Sequence, residues 1–183
     1  MYLICLEVDL FTQLVFDKFA EDSKLPQFML IRSATANDIP AVLPMVGKIC
    51  ALHETWDNAK YGFIPYIEQR YEKWLTRMAQ SDRSVFLVAE DNQQLVAFIV
   101  STIEQEIPIY RIQEFAFVHD LWVEPEHRQK GIAREMVMLS IERFHQMGIK
   151  QIRLDTAAVN ESARRLFTSC GFRFSTIEML KEI

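Results

Sequence analysis

The sequence predicts an α/β (α+β) domain in which helices cover both faces of a mixed β-sheet. The first observation is periodicity, since segments with the repeats of strands and helices follow one another in the order β-α-α-β-β-β-α-β-α-β. The second is composition, because 183 residues with 50% hydrophobic and 25% charged side chains suffice for one globular core. The third is that three of the five glycines, Gly131, Gly148 and Gly171, separate elements in the second half. Backbone geometry is therefore expected to matter most there.

The first half of the chain is predicted to form one strand followed by two helices. Residues 28–32 form a short β-rich segment. Thr35 and Asp38 fit a capping box, and the apolar residues after them recur at helical spacing. Pro44 lies inside this apolar stripe, so we expect the helix to be kinked or split there. A second helix is predicted over residues 64–79, whose apolar side chains share one face.

The second half is predicted to form three successive strands and then two helix–strand pairs. The first two strands are joined by a hairpin, and the long helix that follows the third strand ends at a C′ glycine. In order, the predicted strand, strand, strand, helix, strand, helix and strand cover residues 84–90, 95–104, 114–123, 129–147, 151–155, 161–170 and 172–180.

The composition argues against several classes of function. The formal net charge of −5 does not favour a nucleic-acid-binding protein, which needs a basic surface, whereas it suits a cationic acceptor such as an amine. Three scattered cysteines provide no disulfide framework and indicate a reducing compartment, so we expect a cytoplasmic protein. The cysteines and the four histidines lack the spacing of zinc ligands, and no metal is expected.

Residues 1–27 are predicted to be an N-terminal extension of a domain that spans residues 28–183. The first sixteen residues are rich in apolar side chains, but Glu7 and Asp9 interrupt them and no basic segment precedes them. They therefore fit neither a signal peptide nor a membrane span. We expect an additional helix or strand that packs on the domain or on a second subunit. Alternatively, Met29 is the natural start and the leader is dispensable.

The most specific functional pattern lies between the third strand and the long helix. The strand stops at Val123, Pro125 follows, and a short loop leads into a helix whose first turn holds Arg128, Gly131 and Ala133. The first N–H groups of a helix have no partner inside it, and the helix dipole adds positive charge there. A pyrophosphate can accept from several of these N–H groups at once where the side chains are small. No Rossmann or P-loop motif occurs in the sequence.

The spacing Arg128-x-x-Gly131-x-Ala133 after a strand resembles the Q/R-x-x-G-x-G/A motif of the GNAT N-acetyltransferase superfamily. That resemblance implies a mixed, mostly antiparallel sheet whose central strands splay apart to form a cleft for the co-substrate, acetyl-coenzyme A. It also implies that the turn grips the coenzyme pyrophosphate and that a free strand N–H, of Leu121 or Val123, faces the thioester carbonyl. The coenzyme-binding residues expected on this basis are Leu121, Trp122, Val123, Arg128, Gln129, Lys130, Gly131, Ile132, Ala133, Asn160 and Phe167.

Residues 160–172 resemble the second motif of the same superfamily, N-x-x-A-x-x-L-(Y/F)-x-x-x-G-F. Asn160 is a good helix N-cap, and the resemblance implies that this helix lies beside the pantetheine arm. Many members carry a tyrosine where this chain has Phe167, and that tyrosine is often proposed to protonate the departing thiolate. Phe167 cannot donate a proton, so another group or water must serve, or the thiolate leaves unassisted. Cys170 is the nearest titratable side chain, but its spacing favours a core position.

The candidate general bases lie on the strand before the turn. Acetyl transfer to an amine requires removal of a proton, stabilisation of the carbonyl oxygen and close approach of the reactants. The resemblance makes His119 and Asp120 the candidates by position, with Glu114 as a third. Regular alternation would place His119 and Asp120 on opposite sides of the strand, whereas a bulge would change this, so the sequence leaves their orientation open. A hydrogen-bonded structural histidine is the alternative role for His119.

The resemblance implies an acceptor pocket formed by the loop between the first two helices and by the β-rich middle of the chain. In that loop, Glu54, Trp56 and Tyr61 could hold an alkylammonium by charge and cation–π contact. The same residues could instead cover the core or form a dimer face. The leading hypothesis is an acetyl-CoA-dependent N-acetyltransferase acting by direct attack of a small-molecule, peptide or protein amine. The alternative is a non-catalytic acyl-CoA-binding sensor or regulatory module, which Phe167 keeps open. The resemblance allows a homodimer, and no nucleic-acid or membrane partner is expected.

Overall fold

The computed structural model describes residues 29–183, so the predicted N-terminal extension lies outside the described residues. The strands in this range are β1 Met29–Ser33, β2 Ser84–Asp91, β3 Gln94–Gln105, β4 Glu114–Val123 and β5 Ile152–Leu154. The α-helices are α1 Ile39–Trp56, α2 Asn58–Tyr61, α3 Ile67–Gln80, α4 Ile132–Gln146 and α5 Glu161–Ser169. Short 3₁₀ turns, Ala36–Asp38 and Pro125–His127, lie before α1 and after β4. No helix in the described range has both the length and the apolar character that a bilayer crossing requires.

The strands form one open sheet in the order β1-β2-β3-β4-β5. The first three pairings are antiparallel, and β5 joins β4 in parallel. The parallel pair is short, because only Ala116–Val118 and Ile152–Leu154 face each other. The mixed sheet predicted from the element order and the mostly antiparallel pairing that the resemblance implied are therefore confirmed.

Each face of the sheet carries its own core, because successive side chains of a strand point to opposite faces. Leu87 and Ile99 belong to the core that is closed by α4 and α5. Phe86 and Phe98 belong to the opposite core, beneath α1 and α3. All four are at most 4% exposed, so β2 and β3 are fully sandwiched, and β3 pairs with one edge of β4.

Three predicted elements differ from the structure. Residues 39–56 form one helix with Pro44 inside it, so the helix is not split at the proline, since the apolar side chains on either side of it, among them Val42 and Val46, belong to a single core. The long helix begins at Ile132 and not at Gln129, because Gln129 and Gly131 adopt positive φ angles that no helix accommodates.

The predicted last strand, residues 172–180, is not formed. Phe172 packs against the α4–α5 core, but the chain beyond it has no strand pairing among the described residues. Its composition favours β-structure, yet a strand exists only where a neighbouring edge supplies hydrogen bonds, and β5 is three residues long. Phe174, Ile177 and Met179 are consequently more than 70% exposed.

The entry into α1 is held by a buried aspartate. The carboxylate of Asp38 accepts from the backbone N–H of Thr35 at 2.7 Å and from the Arg32 guanidinium at 2.7 and 2.9 Å. Hydrogen bonding from Arg32 is the main reason that the pKa of Asp38 is lowered to about 2. The capping box predicted from Thr35 and Asp38 is thus confirmed, with Arg32 as an additional partner.

We predict that Asp38→Asn lowers the free energy of unfolding at pH 7 by about 2 kcal/mol, because the ionised form is the one that the fold stabilises. A depressed folded pKa contributes stability above the unfolded value of about 3.8, and this contribution is lost as the pH falls towards 2. Urea unfolding at pH 7 and pH 3 measures it, with the exposed Asp82→Asn as control. If the free energies of unfolding of Asp38→Asn and the native chain differed equally at pH 7 and pH 3, the lowered pKa of Asp38 would be contradicted.

Candidate functional site

A β-bulge in β4 determines where the two candidate bases point. Val100 of β3 pairs with Asp120 and Ser101 pairs with Val118, so His119 is the extra residue of the bulge. Val118 therefore faces the α4–α5 core while Trp122 faces the α1–α3 core. The irregularity re-aims the side chains, and both His119 and Asp120 interact with α3. The orientation that the sequence left open is thereby decided in favour of one shared side.

His119 is held by side chains from three elements. Its Nε2 lies 2.6 Å from the Thr102 hydroxyl and 3.5 Å from a carboxylate oxygen of Glu104, both on β3. Trp74 of α3 and Phe117 of β4 pack edge-on against the imidazole, with ring centroids 5.2 and 5.1 Å away. Burial among these rings lowers the pKa of His119, and Glu104 only partly opposes it. The imidazole is therefore neutral near pH 7 and able to accept a proton.

Asp120 lies deeper than His119. The residue is 9% exposed, and burial raises the pKa of its carboxyl to about 6, although hydrogen bonding from Tyr71 of α3 acts in the opposite direction. Cys50 of α1 is close to the same carboxylate, and burial raises the pKa of its thiol to about 11. Cys50 therefore stays protonated at neutral pH and is not a nucleophile. Asp120 itself is largely ionised above pH 7.

The edge of β4 is open beyond its short pairing with β5. Pairing ends at Val118 and Leu154, while β4 continues to Val123. The N–H of Glu124 donates to Val96 of β3 at 2.8 Å, and N–H groups alternate in direction along a strand. Those of Leu121 and Val123 therefore point away from β3, towards the gap. This is the splayed edge that the resemblance implied.

The turn before α4 presents free backbone donors on the other side of the gap. Gln129 and Gly131 take positive φ angles of 62° and 88°, and the first helical bond runs from Glu135 N–H to Gly131 at 3.0 Å. Within the described residues, the N–H groups of residues 129–134 have no backbone acceptor. A Cβ added at Gly131 would meet nothing within 4 Å, so the turn faces open space.

Arg128 supports this turn. Its Nε donates to the Val123 carbonyl at 2.9 Å, and its guanidinium stacks on Trp122 at 4.6 Å from the ring centroid. The side chain therefore satisfies the one carbonyl at the end of the β4 edge and ties the turn to the strand, in addition to bringing positive charge. His127 anchors the same loop to the β2–β3 hairpin through Asp91, with Nε2 3.2 Å from the carboxylate.

These elements enclose a cleft of about 660 Å³, a volume suited to a cofactor-sized ligand. It is lined by β4, the turn, the ends of α1 and α5, and the residues after β5. Both candidate bases lie along it, as do all predicted coenzyme-binding residues except Lys130, which is exposed outside it. Arg134, in the first turn of α4, also lines the cleft and was missed, because no motif position marks it.

The second motif forms one wall of the cleft. The Asn160 side chain accepts from the backbone N–H of Ala163 at 3.1 Å, as an N-cap does, and this fixes the start of α5. Phe167 is 8% exposed and packs edge-on against Phe172 with ring centroids 5.5 Å apart. It offers an apolar surface and no proton. Burial raises the pKa of the nearby Cys170 thiol, consistent with the core position that its spacing predicted.

The predicted acceptor-binding residues do not all line the cleft. Trp56 and Tyr61 line the cleft, and His53, which sequence reasoning did not single out, lies between them with ring centroids 5.1 and 4.9 Å away. Burial lowers the pKa of His53, so this group is an uncharged aromatic cluster. Glu54 is not among the lining residues, and its carboxylate accepts from the Phe63 N–H at 3.2 Å.

Glu114, the third candidate base, lies at the start of β4, away from the cleft. Its carboxylate accepts from Arg83 at 2.8 Å and from Gln105 at 2.6 Å, and hydrogen bonding from Arg83 lowers its pKa. A carboxylate stabilised in its charged form by two donors is a weak base. The arrangement thus favours His119 and Asp120. Among the described residues, no group of three or more His, Cys, Asp or Glu side chains is placed to hold a metal ion.

Comparison with known proteins identifies the family and the relatives to which this sequence is similar. The sequence profile of the acetyltransferase (GNAT) family matches residues 50–172, which include both motifs. Human N-acetyltransferase 8 is 29% identical over 136 residues. The alignment covers 72% of this chain but 59% of the human protein, so the chain spans about three-fifths of that relative's length.

Solved structures show the same fold at low sequence identity. A mutant of the BH1408 protein from Bacillus halodurans superposes with a TM-score of 0.75 at 22% identity, covering 84% of this chain and 99% of that one. A predicted acetyltransferase from Clostridium acetobutylicum, solved with acetyl-CoA, gives a TM-score of 0.67 at 21% identity and covers 85% and 96% of the two chains. The predicted fold class is confirmed by these likenesses.

We predict that Asp120→Asn raises the free energy of unfolding above pH 6, whereas Asp38→Asn lowers it. The folded pKa of Asp120, about 6, exceeds its ordinary value of 3.8, so the native chain loses stability as the pH rises through this window, by about 3 kcal/mol in total. The neutral amide does not ionise and avoids this loss. Urea unfolding at pH 4 and pH 8 measures the difference. If the free energy of unfolding of the native chain instead rose relative to that of Asp120→Asn between pH 4 and pH 8, Asp120 would not be a buried carboxylate.

Proposed function

Because the chain belongs to the acetyltransferase (GNAT) family, we propose that it transfers the acetyl group of acetyl-CoA to a primary amine. The observation that carries the proposal is the pairing of two sets of free N–H groups across one cleft. Residues 129–134 offer donors for a pyrophosphate, and the β4 edge at Leu121 and Val123 offers donors for the thioester end. The acceptor is a small molecule or a peptide or protein amine.

The residues of the cleft fit the coenzyme. The turn has left-handed backbone at Gln129 and Gly131, which aims successive N–H groups into one concavity, and it has no Cβ at its centre. Arg128 and Arg134 bring positive charge, and Asn160 caps α5, which lines the cleft. Acetyl-CoA, when bound, supplies the thioester carbonyl that the amine attacks.

His119 and Asp120 supply the base in this proposal. A free amine is needed for attack, and the neutral His119 imidazole accepts the proton that the amine loses, while the carboxylate of Asp120, the next residue of β4, is the second candidate acceptor of that proton. The amine nitrogen then bonds to the carbonyl carbon, the C–S bond breaks, and an edge N–H of β4 stabilises the oxygen as it gains charge. Phe167 offers no proton, so the sulfur leaves as a thiolate and takes its proton from water.

The acceptor enters past the cluster of Trp56, His53 and Tyr61 in this proposal. Two aromatic faces and a neutral imidazole suit an acceptor with an apolar or aromatic portion next to its amine. Two structural neighbours of low identity are aminoglycoside acetyltransferases, and one of them was solved in complex with sisomicin. The scattered cysteines suit a reducing compartment, and we assign the domain of residues 28–183 to the cytoplasm.

A non-catalytic acyl-CoA sensor is the second candidate, favoured by Phe167 in the place of a proton donor. Thiol release from acetyl-CoA in the presence of a panel of amines separates the two functions. Turnover with any amine supports the enzyme, whereas binding of acetyl-CoA without turnover across the panel supports the sensor.

We predict that Gly131→Glu abolishes the rise in thermal stability that acetyl-CoA confers on the native chain. The carboxylate would occupy the open space in front of the free N–H groups and repel a phosphate. Gly148→Glu is the matched control, because Gly148 ends the same helix segment with a similar φ of 81° and equally open surroundings, but away from the cleft. Both variants place a side chain at a positive φ and so carry similar backbone strain. Equal responses of the two variants to acetyl-CoA would show that the turn does not bind the coenzyme.

We predict that His119→Gln lowers kcat by roughly 100-fold or more and changes the affinity for acetyl-CoA little, because it removes proton transfer and leaves the phosphate turn intact. The pH profile of kcat/KM of the native chain should fall on the acid side as His119 becomes protonated. His145→Gln, on the exposed end of α4, is the control. A His119→Gln variant with native kcat would leave His119 as a structural residue.

A further inference from the structure

The hydrogen-bond chain around His119 has a direction. The Thr102 hydroxyl carries one proton and donates it to a carboxylate oxygen of Glu104, which is the only role an ionised carboxylate leaves to it. The same hydroxyl oxygen lies 2.6 Å from Nε2 of His119 and can therefore only accept there. Nε2 must carry the ring proton. The order of donation is His119 to Thr102 to Glu104.

The remaining ring nitrogen follows from this order. In a neutral imidazole only one nitrogen is protonated, so Nδ1 of His119 carries a free lone pair. No hydrogen bond to Nδ1 is formed by the described residues. The residue is also more exposed than its neighbours Val118 and Asp120, because it is the extra residue of the bulge. Nε2 is thus committed to β3, whereas Nδ1 has no hydrogen-bond partner among the described residues and is available to a ligand.

We propose that Thr102 is a positioning residue, which fixes the Nε2–H tautomer of His119 so that Nδ1 is the atom that accepts the amine proton. The catalytic half of this inference rests on the proposed function. The tautomer itself does not, because it is a property of the resting protein. When Nδ1 gains the proton, the imidazolium keeps its Nε2–H bond to Thr102, and Glu104 at 3.5 Å balances the new charge.

The charged and polar groups around His119 are consistent with its role as a proton acceptor. Glu104 on β3 and Asp120 on β4 are the neighbouring acids, and α3 contributes Trp74 and the phenol of Tyr71, whose pKa is raised by burial so that it stays neutral. Among the described residues, no basic side chain forms a hydrogen bond or an ion pair with the ring. Burial therefore keeps the resting ring neutral, while Glu104 favours its protonated form.

The test combines substitutions at two positions on β3, Thr102 and Glu104, that separate hydrogen bonding from charge. Thr102→Val keeps the shape of the side chain and removes its acceptor, whereas Thr102→Ser keeps the hydroxyl. Glu104→Gln keeps an acceptor for the Thr102 proton and removes the charge. The ¹⁵N NMR spectrum of the imidazoles, assigned by comparison with His119→Gln, reports the tautomer of the resting protein without any substrate.

We expect His119 in the Nε2–H form in the native chain, in Thr102→Ser and in Glu104→Gln, and a mixture of tautomers in Thr102→Val. Glu104→Gln should instead lower the pKa of His119 further, since Glu104 raises it. With an amine that is turned over, Thr102→Val should lower kcat by roughly tenfold with little change in KM, and Thr102→Ser should restore it.

Nδ1–H in the native chain, or an unchanged tautomer in Thr102→Val, would overturn the inference. A native kcat in Thr102→Val despite a relaxed tautomer would overturn its catalytic half. Because the spectra are recorded on the resting protein, the tautomer is decided even if no amine is acetylated, and that result would count against the proposed function alone.

Discussion

The gap beside β4 exists because only a short part of β4 pairs with β5. Three residues of each strand face each other, and the remainder of β4 runs on without a partner on that side. A strand edge inside a folded domain is costly unless its N–H and C=O groups find other partners. Here the last carbonyl is satisfied by Arg128, whereas the N–H groups of Leu121 and Val123 are left for a ligand. The gap therefore offers these two backbone donors to a ligand.

The same strand carries the chemistry, because its bulge breaks the two-residue alternation. A regular β4 would have placed Asp120 and His119 on opposite faces, one of them in the core beneath α4. With one extra residue, both contact α3, and Trp122 still reaches the α1–α3 core. One backbone irregularity thus brings an acid and a histidine together at the side of an open edge.

Two buried aspartates show how the surroundings assign different tasks to the same side chain. Asp38 has a guanidinium and backbone donors, so its pKa falls to about 2 and its charge stabilises the fold. Asp120 has one phenol and is otherwise desolvated, so its pKa rises to about 6 and its charge destabilises the fold. A cost of this kind is typical of residues that serve function. The site is consequently where stability and activity are expected to oppose each other.

The sequence alone was sufficient for the features that are local. The turn at Gly131, the cap at Asn160 and the apolar stripes of the helices all follow from neighbouring residues, and family membership follows from their spacing. The predicted strand at residues 172–180 failed for the complementary reason, since β-composition does not supply a partner edge. The direction of His119 and Asp120, the roles of Thr102 and Tyr71, and the place of His53 beside Trp56 depend on contacts between residues far apart in the chain. Only folding brings such groups within hydrogen-bonding distance, and no periodicity records it.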